Sequence, residues 1–141
     1  MGNGGGVILT DMQHYYGDTV RRLFIAAAVI MTVTLPFFAE EIGMAASGIS
    51  IIGIILTGLA AGLTNPKSIT SAVINGIVSG VAVLVFELYS IDTYTRLQTM
   101  SIFLLINQLL AALYIIALYY SIKTIRGIVV NNHERGAAQR D

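Results

Sequence analysis

The segment Leu97–Ile122 is an almost unbroken apolar run, and it constrains the fold more than any other part of the sequence. As a helix rising about 1.5 Å per residue, it is longer than the roughly 30 Å hydrocarbon core of a bilayer. Two adjacent amides, Asn107 and Gln108, lie near its middle, where hydrocarbon offers no hydrogen-bond partner. We therefore expect both amides to face other helices, a cavity or another subunit.

Composition extends this conclusion to the whole chain. Of the 141 residues, 55% are hydrophobic and 11% are charged, whereas a soluble domain has about 25% charged residues. So few charges do not cover a water-facing surface, and we predict an integral membrane protein in contact with the lipid bilayer. A formal net charge of zero does not indicate nucleic acid as a partner. The sequence has no cysteine, which excludes disulfides and thiolate metal sites within it.

The apolar residues form four segments separated by short polar stretches. They predict four membrane spans at 20–41, 45–63, 66–91 and 96–126. Glu40 and Glu41 end the first span, because adjacent carboxylates belong at the headgroup level. Asn65 as N-cap and Pro66 in the first turn begin the third span, and Gly127 is the expected C-cap of the fourth. The predicted fold is all-α, a transmembrane four-helix up-down bundle with short turns.

The segments outside residues 20–127 are predicted to add no further domain. Residues 1–19 are expected to be a flexible or interfacial N-terminal arm, and its first six residues are rich in glycine. Within it, Thr10 and Gln13 fit a capping box, which favours a short interfacial helix over 7–18, and a flexible arm is the equal alternative. Residues 128–141, which are mainly polar from Asn131 onward, are expected to be a disordered cytoplasmic tail. Asp92 to Thr95 is expected to form the turn before the fourth span.

Basic residues are concentrated on one side of the predicted bundle. Four spans place both termini on the same side, which carries all but one of the eight Lys and Arg residues. The exception is Arg96, on the side that also has Glu40, Glu41, Glu87 and Asp92. Because short cytoplasmic loops are enriched in Lys and Arg, we expect both termini in the cytoplasm and the spans in the cell membrane.

Small-x-x-x-small pairs predict the faces at which helices approach closely: Gly58 with Gly62, and Gly76 with Gly80. Glu87 lies within about 20° of the line through Gly76 and Gly80 on a helix, so it is expected to point into the bundle or its outer mouth. One interpretation is an ion or proton site, or a partner for Arg96. The favoured one is a carboxylate that reaches the nearby headgroups, because Glu87 is close to the helix end.

Asn75 on the third span and Asn107 with Gln108 on the fourth form a second group. Because these spans are expected to run antiparallel, Asn75 is expected within a turn or two of the depth of Asn107. An interhelical contact between such groups contributes about 0.6 kcal/mol and at most about 2 kcal/mol. The alternative is a polar lining of a permeation path, which amides without a buried charge support weakly.

The sequence has no catalytic motif of the G-x-S-x-G, H-E-x-x-H or Walker A type. His14 and His133 lie near the chain ends without ligand partners nearby, so no metal site is expected. We expect neither enzymatic activity nor a cofactor. The tyrosines near the span ends, Tyr89, Tyr94, Tyr114, Tyr119 and Tyr120, are predicted to form aromatic belts at the membrane interfaces.

Five motifs carry a resemblance that covers most of the chain: YYGDTVRRLF (Tyr15–Phe24), LTNP (Leu63–Pro66), FELYSID (Phe86–Asp92), INQ (Ile106–Gln108) and LYYSIKTIRG (Leu118–Gly127). They resemble small four-helix membrane proteins known only as hypothetical proteins from uncultured bacteria, and the resemblance implies no activity. Small multidrug transporters are similar in size and span count, but they place a carboxylate deep in their first helix, whereas Ala26 to Val33 of this chain include no carboxylate. Dual-topology fluoride channels are similar in size, but their Thr- and Phe-rich break in the third helix does not occur here.

These observations favour a structural function. A bundle this small, with two small-residue faces, has more packing surface than it satisfies alone, so we expect a homo-oligomer or a subunit of a larger membrane complex. The alternative is a small ion or solute transporter or channel that uses Glu87 and the polar positions Asn75, Asn107 and Gln108. A membrane-embedded enzyme has the weakest support, because the clustered carboxylates all lie on the exposed outer side.

Overall fold

The computed structural model describes residues 16–65, 68–97 and 101–138, and the predicted interfacial helix lies largely outside these residues. The described residues form four helices, each long and apolar enough to cross a membrane: α1 (Gly17–Glu40), α2 (Ile42–Gly62), α3 (Ile69–Leu97) and α4 (Ile102–Ala138). None of the described residues is in a strand. The predicted all-α four-helix fold is confirmed.

The chain reverses direction at Gly43, the second residue of α2. This residue has φ 79° and ψ 167°, a conformation that is easily reached only without a side chain. The Met31 methyl group lies 3.5 Å from the position that a Cβ at Gly53 would take. Because Met31 and Gly53 are almost equally far from Gly43 along the chain, α1 and α2 form an antiparallel hairpin.

The ends of α3 differ from the prediction. The helix begins at Ile69, where the Ser68 hydroxyl accepts a hydrogen bond from the Ser71 N–H at 3.4 Å, three residues later than expected with Asn65 as N-cap. It also continues through the predicted turn at Asp92. A salt bridge of 2.6 Å joins Asp92 to Arg96, one helical turn further on, and such pairs stabilise a helix.

The ends of α4 are also displaced from their expected positions. The Ser101 hydroxyl accepts a hydrogen bond from the Leu104 N–H at 3.2 Å, and the helix begins at the next residue, Ile102. It then continues through Gly127 to Ala138, so the prediction of Gly127 as C-cap is wrong, and the expected tail is helical up to Ala138. The apolar residues that follow Gly127 continue the helical segment, and nothing in the sequence forces a stop there.

The helices meet in a core of small and aromatic side chains. Helices α3 and α4 pack closely along their length, and the α1–α2 hairpin packs mainly against α4. At one end, Gly17, Thr64, Asn75 and Thr124, one residue from each helix or its end, line one small cavity. At the other end, the rings of Phe38 and Phe103 lie 5.1 Å apart. The up-down order of the four helices stays a prediction.

The outer surface of all four helices is apolar. Large aliphatic side chains that are more than half exposed occur on every one of them, among them Val33, Leu59, Leu84 and Ile122. Monomeric soluble proteins rarely expose apolar patches of more than a few hundred Å², whereas helices in a bilayer present such a surface to lipid. The chain therefore has the architecture of a multi-pass membrane protein.

Candidate functional site

Tyr114 on α4 is the side chain on which the four helices converge. It is 1% exposed. Its hydroxyl shares a hydrogen bond of 2.7 Å with the Thr57 hydroxyl on α2 and lies 3.9 Å from the Met31 sulfur on α1. The ring centroids of Phe24 on α1 and Phe86 on α3 both lie 5.7 Å from the Tyr114 ring. One residue thus contacts all three other helices.

This position corrects the prediction that Tyr114 belongs to an aromatic belt. Tyr114 lies on the same face of α4 as the buried residues Leu110, Ala117 and Ser121, which places its ring in the core. Tyr119 is 59% exposed and faces the surroundings, as a belt residue does. A buried phenol needs a hydrogen-bond partner. Thr57, a residue with a hydroxyl group within an apolar span, was the sequence signal for this partner, and the sequence analysis did not single it out.

A cleft of about 390 Å³ extends from Tyr114 toward the end of the bundle that contains Gly43. All four helices contribute to its wall, and its inner end is formed by Met31, Thr57 and Tyr114. Ile42 and Phe103 mark its outer end. The α1–α2 hairpin packs mainly against α4 and less against α3, and the cleft lies on the α3 side of α2.

The polar atoms in the cleft wall mostly have partners within the protein. The Thr34 hydroxyl donates to the Ile30 carbonyl at 2.7 Å, and the Ser50 hydroxyl donates to the Ala46 carbonyl at 2.9 Å. The Asn107 amide donates to the Phe103 carbonyl at 2.9 Å. Since Thr57 and Tyr114 bind each other, the wall presents a mainly apolar surface.

A polar cluster closes the opposite end of the bundle, where α2 and α3 are joined. The amide of Asn75, which is 3% exposed, donates to the Thr64 hydroxyl at 3.2 Å. The Ser71 hydroxyl donates to the Leu63 carbonyl and accepts from the Asn65 N–H, both at 3.0 Å. These bonds satisfy backbone groups at the end of one helix with side chains of the next. The cluster fixes the α2–α3 connection.

The predicted contact between Asn75 and Asn107 is wrong. A Cβ at Gly76 would lie 3.8 Å from the Ser121 Cβ, so Asn75 lies at the depth of Ser121. Asn107 is fourteen residues away from Ser121 along the same helix, a distance of about 21 Å. The two amides therefore lie near opposite ends of the bundle.

Glu87 and Gln108 meet on the outer side of the α3–α4 pair. The Gln108 amide donates to a Glu87 carboxylate oxygen at 3.4 Å. On a helical wheel, Glu87 lies about 160° from Val85, which lines the cleft, so this pair faces away from the cleft. The interpretation of Arg96 as the partner of Glu87 is wrong, because Arg96 pairs with Asp92.

The glycines predicted to pack helices occupy different environments. Gly76 faces Ser121 across the α3–α4 contact. A Cβ at half-buried Gly80 would have no atom within 4 Å. Gly58 and Gly62 on α2 are exposed, and a Cβ at either position would also have no atom within 4 Å. Within the chain, only Gly76 of these four makes a close helix contact.

An aromatic and cationic cluster joins the beginning of α1 to the second half of α4. The rings of Tyr16 and Tyr120 stack with centroids 5.0 Å apart. The Lys123 ammonium lies 4.6 Å from the Tyr16 ring centroid and 5.9 Å from that of Tyr119. The ring faces attract the ammonium group, so these contacts favour the packing of the two segments. The sequence analysis did not predict this cluster, because it depends on contact between the beginning of α1 and the second half of α4, which are far apart in the sequence.

The described residues contain no group of three or more His, Cys, Asp or Glu side chains that could hold a metal ion. His14 lies outside the described residues, and the side chain of His133 is not described either. The expectation of no metal and no cofactor thus stays a prediction.

Comparison with known proteins gives no family: no family model, curated protein or solved structure matches the chain. The resemblance to uncharacterised four-helix membrane proteins therefore assigns no activity.

Proposed function

We propose that this chain is a four-span protein of the cell membrane, with both termini in the cytoplasm, that assembles with copies of itself and has no catalytic activity. The observation that carries this proposal is the exposed glycine face of α2. The face consists of Gly48, Ile51, Ile55, Gly58 and Gly62, which lie within about 80° of one another on a helical wheel.

The glycine face has the shape that membrane helices use for close approach. A Cβ at Gly48, Gly58 or Gly62 would have no atom within 4 Å, so the groove is uncovered. Ile51 and Ile55 are half exposed and form a ridge beside it. In lipid, helices associate through van der Waals packing and close backbone contact, which glycines permit. A second copy of α2 fits this groove.

Helix α2 is also the helix that the rest of the chain covers least. Its buried residues, Thr57, Ala60 and Ala61, all lie in its last two turns. Residues 43–56 include no buried side chain, whereas buried side chains recur along most of the apolar part of α4. Because α2 has so few contacts within the chain, packing against a second copy would stabilise it more than the other helices.

The charge distribution supports the proposed orientation. Arg21, Arg22, Lys123 and Arg126 lie at the end of the bundle that contains the beginning of α1 and the second half of α4. Arg96 lies at the opposite end and is paired with Asp92. Since cytoplasmic loops carry the excess of Lys and Arg, the end with the four basic residues is proposed as the cytoplasmic one.

The double variant Gly58→Ile/Gly62→Ile tests the assembly. We expect wild-type protein in a mild detergent to be an oligomer by light scattering coupled to size-exclusion chromatography, and the variant to be a monomer. The fold is expected to survive, because both positions have open space and isoleucine has a better helix propensity than glycine. A wild-type monomer, or a variant of unchanged size, contradicts the proposal.

Gly127→Ile is the matched control. Gly127 is also an exposed helical glycine with open space around it, but it lies on α4. The same substitution there is expected to leave the oligomer size unchanged. A loss of the oligomer in both variants would indicate a general effect of the larger side chain and would count against the α2 face.

The transporter alternative receives less support from these positions. A single permeation path would have to be lined by all four of the proposed residues, Glu87, Asn75, Asn107 and Gln108. Asn75 and Asn107 lie about 20 Å apart, and Glu87 with Gln108 faces away from the cleft. We therefore do not propose transport.

A further inference from the structure

We propose that the cleft between α2 and α3 binds one acyl chain of a zwitterionic phospholipid from the leaflet on the Gly43 side. The cleft has about 390 Å³, which lies within the roughly 300–1,000 Å³ range of ligand-binding cavities. It is lined by residues of all four helices, in contrast to the flat outer surface of a single helix. This inference goes beyond self-assembly and uses a different part of the molecule.

The chemistry of the wall selects an uncharged apolar ligand. None of the described residues that line the cleft is acidic, basic or histidine. The hydroxyls of Thr34, Ser50 and Thr57 and the Asn107 amide are already hydrogen-bonded within the protein. Water in a cavity needs two to four polar partners, and an ion needs more. A hydrocarbon chain needs only the apolar surface that the cleft provides.

The dimensions of the cleft match one leaflet. On α4 the lining extends from Phe103 to Tyr114, eleven residues or about 16 Å of helix. Half of the hydrocarbon core of a bilayer is roughly 15 Å thick. On α3 the lining extends over a similar length, from Ile77 to Tyr89, twelve residues or about 18 Å of helix. One acyl chain extends over a comparable distance.

The cleft opens sideways to the surroundings of the helices. Ile52 and Leu56 on α2 form one edge of the opening, and Ile77 and Val81 on α3 form the other. All four side chains are more than half exposed. Because the flanking helices are membrane spans, the medium at this opening is hydrocarbon, and a lipid chain enters without crossing water.

The charges at the outer end indicate the type of headgroup. Glu40, Glu87 and Asp92 lie toward this end, and Arg96, the basic residue there, is paired with Asp92. This net negative charge attracts the ammonium group of a zwitterionic lipid and repels an anionic headgroup. The ligand is therefore a zwitterionic phospholipid rather than an anionic lipid.

Photocrosslinking in vesicles tests the site. The full chain is reconstituted into phosphatidylethanolamine-rich vesicles that contain a phosphatidylethanolamine with a diazirine near the end of one acyl chain. After irradiation, labelled peptides are mapped by mass spectrometry. We expect label concentrated on lining residues near the inner end, such as Val78 and Leu110. Label spread evenly over exposed residues outside the cleft overturns the proposal.

Two filled-cleft variants and a control on the same helix sharpen the test. Ala82→Phe and Val85→Phe place a ring in the cleft, whereas Leu84→Phe changes an exposed residue outside it. We expect the first two to lower the labelling of the cleft at least about tenfold, which is about 1.4 kcal/mol, and Leu84→Phe to leave it unchanged. Each variant must keep the wild-type helical circular dichroism. Labelling that both filled variants leave unchanged overturns the proposal.

The occupant is identified by three further measurements. The same photolipid with a phosphatidylglycerol headgroup is expected to label the cleft less, and equal or stronger labelling overturns the headgroup assignment. In the variant Ala82→Cys, reaction with a membrane-impermeant maleimide would indicate water in the cleft, and a disulfide-linked dimer would indicate a second copy. Either result overturns the proposal. The glycine face of α2 points about 180° away from the cleft, so the oligomer test can fail while this one succeeds.

Discussion

The hydroxyl groups of Thr57 and Tyr114 lie 2.7 Å apart, and this hydrogen bond joins α2 to α4 in the middle of the bundle. Both residues are buried, at 3% and 1% exposure. Their bond separates the core around Phe24 from the apolar cleft. A buried hydroxyl without a hydrogen-bond partner is costly in an apolar environment. Each of these two hydroxyls supplies the partner that the other needs.

Tyr114→Phe is expected to destabilise the bundle by about 1 kcal/mol. The substitution removes one hydroxyl and leaves Thr57 without this partner, and hydrogen bonds between membrane helices contribute about 0.6–2 kcal/mol. Tyr114→Ala should cost more, about 3–5 kcal/mol, because it also leaves a cavity. Unfolding with sodium dodecyl sulfate in mixed micelles measures both. Exposed Tyr119→Phe is the control, and an equal effect of Tyr114→Phe and Tyr119→Phe contradicts this role.

Gly43→Ala is expected to destabilise the protein by about 1–2 kcal/mol, because an alanine at φ 79° is strained. Space is not the cause, since a Cβ there would have no atom within 4 Å. Gly127→Ala is the matched control: it also has open space, but its backbone is helical and it lies outside the glycine face of α2. The control should be neutral or stabilise by about 0.5–1 kcal/mol. Equal effects in the same unfolding assay would show that the reversal does not depend on Gly43.

Double-mutant cycles test the relative depth of the buried amides. Asn75→Ala and Thr64→Ala are expected to couple by at least about 0.5 kcal/mol, because their side chains are hydrogen-bonded. Asn75→Ala and Asn107→Ala should be additive to within about 0.5 kcal/mol, because the residues are about 20 Å apart. Free energies of unfolding provide both values. Strong coupling between Asn75 and Asn107 would contradict the observed alignment of α3 with α4.

Gly76→Leu is expected to weaken the packing of α3 on α4, because the new side chain would have to displace Ser121. Overpacking of this kind typically costs about 1–3 kcal/mol. Gly80→Leu is the control on the same face, with open space around the position. The free energy of unfolding should fall for Gly76→Leu and stay close to the wild-type value for Gly80→Leu. The reverse order would show that the close contact lies at Gly80.

The number and type of the helices were predictable from the sequence, because long apolar runs have few alternatives to membrane helices. The ends were less predictable. Asp92 to Thr95 has the composition of a turn, yet the contact between Asp92 and Arg96 keeps it helical. Gly127 has the residue type of a C-cap, but the sequence does not reveal whether its backbone leaves the helical conformation.

The predicted alignment of α3 with α4 was wrong, because the turn between the two helices was placed too early in the sequence. Moving the turn from Asp92–Thr95 to the residues between Leu97 and Ile102 shifts it by about six residues. In an antiparallel pair, the partner of a given residue then moves by about twelve. Asn75 thus lies beside the region of Ser121 instead of near Asn107. Contacts such as Thr57 with Tyr114 depend on this alignment and were not accessible from spacing alone.

Labelling of single cysteines tests the four-span arrangement most directly, because the natural sequence has no cysteine of its own. Met44→Cys places a thiol beside the α1–α2 reversal, at a position that is 93% exposed, and Ser68→Cys places one at the start of α3. In intact cells, a membrane-impermeant maleimide is expected to label the Met44→Cys protein. The Ser68→Cys protein should react only after the membrane is permeabilised. Labelling of both variants from the same side of the membrane would contradict the account.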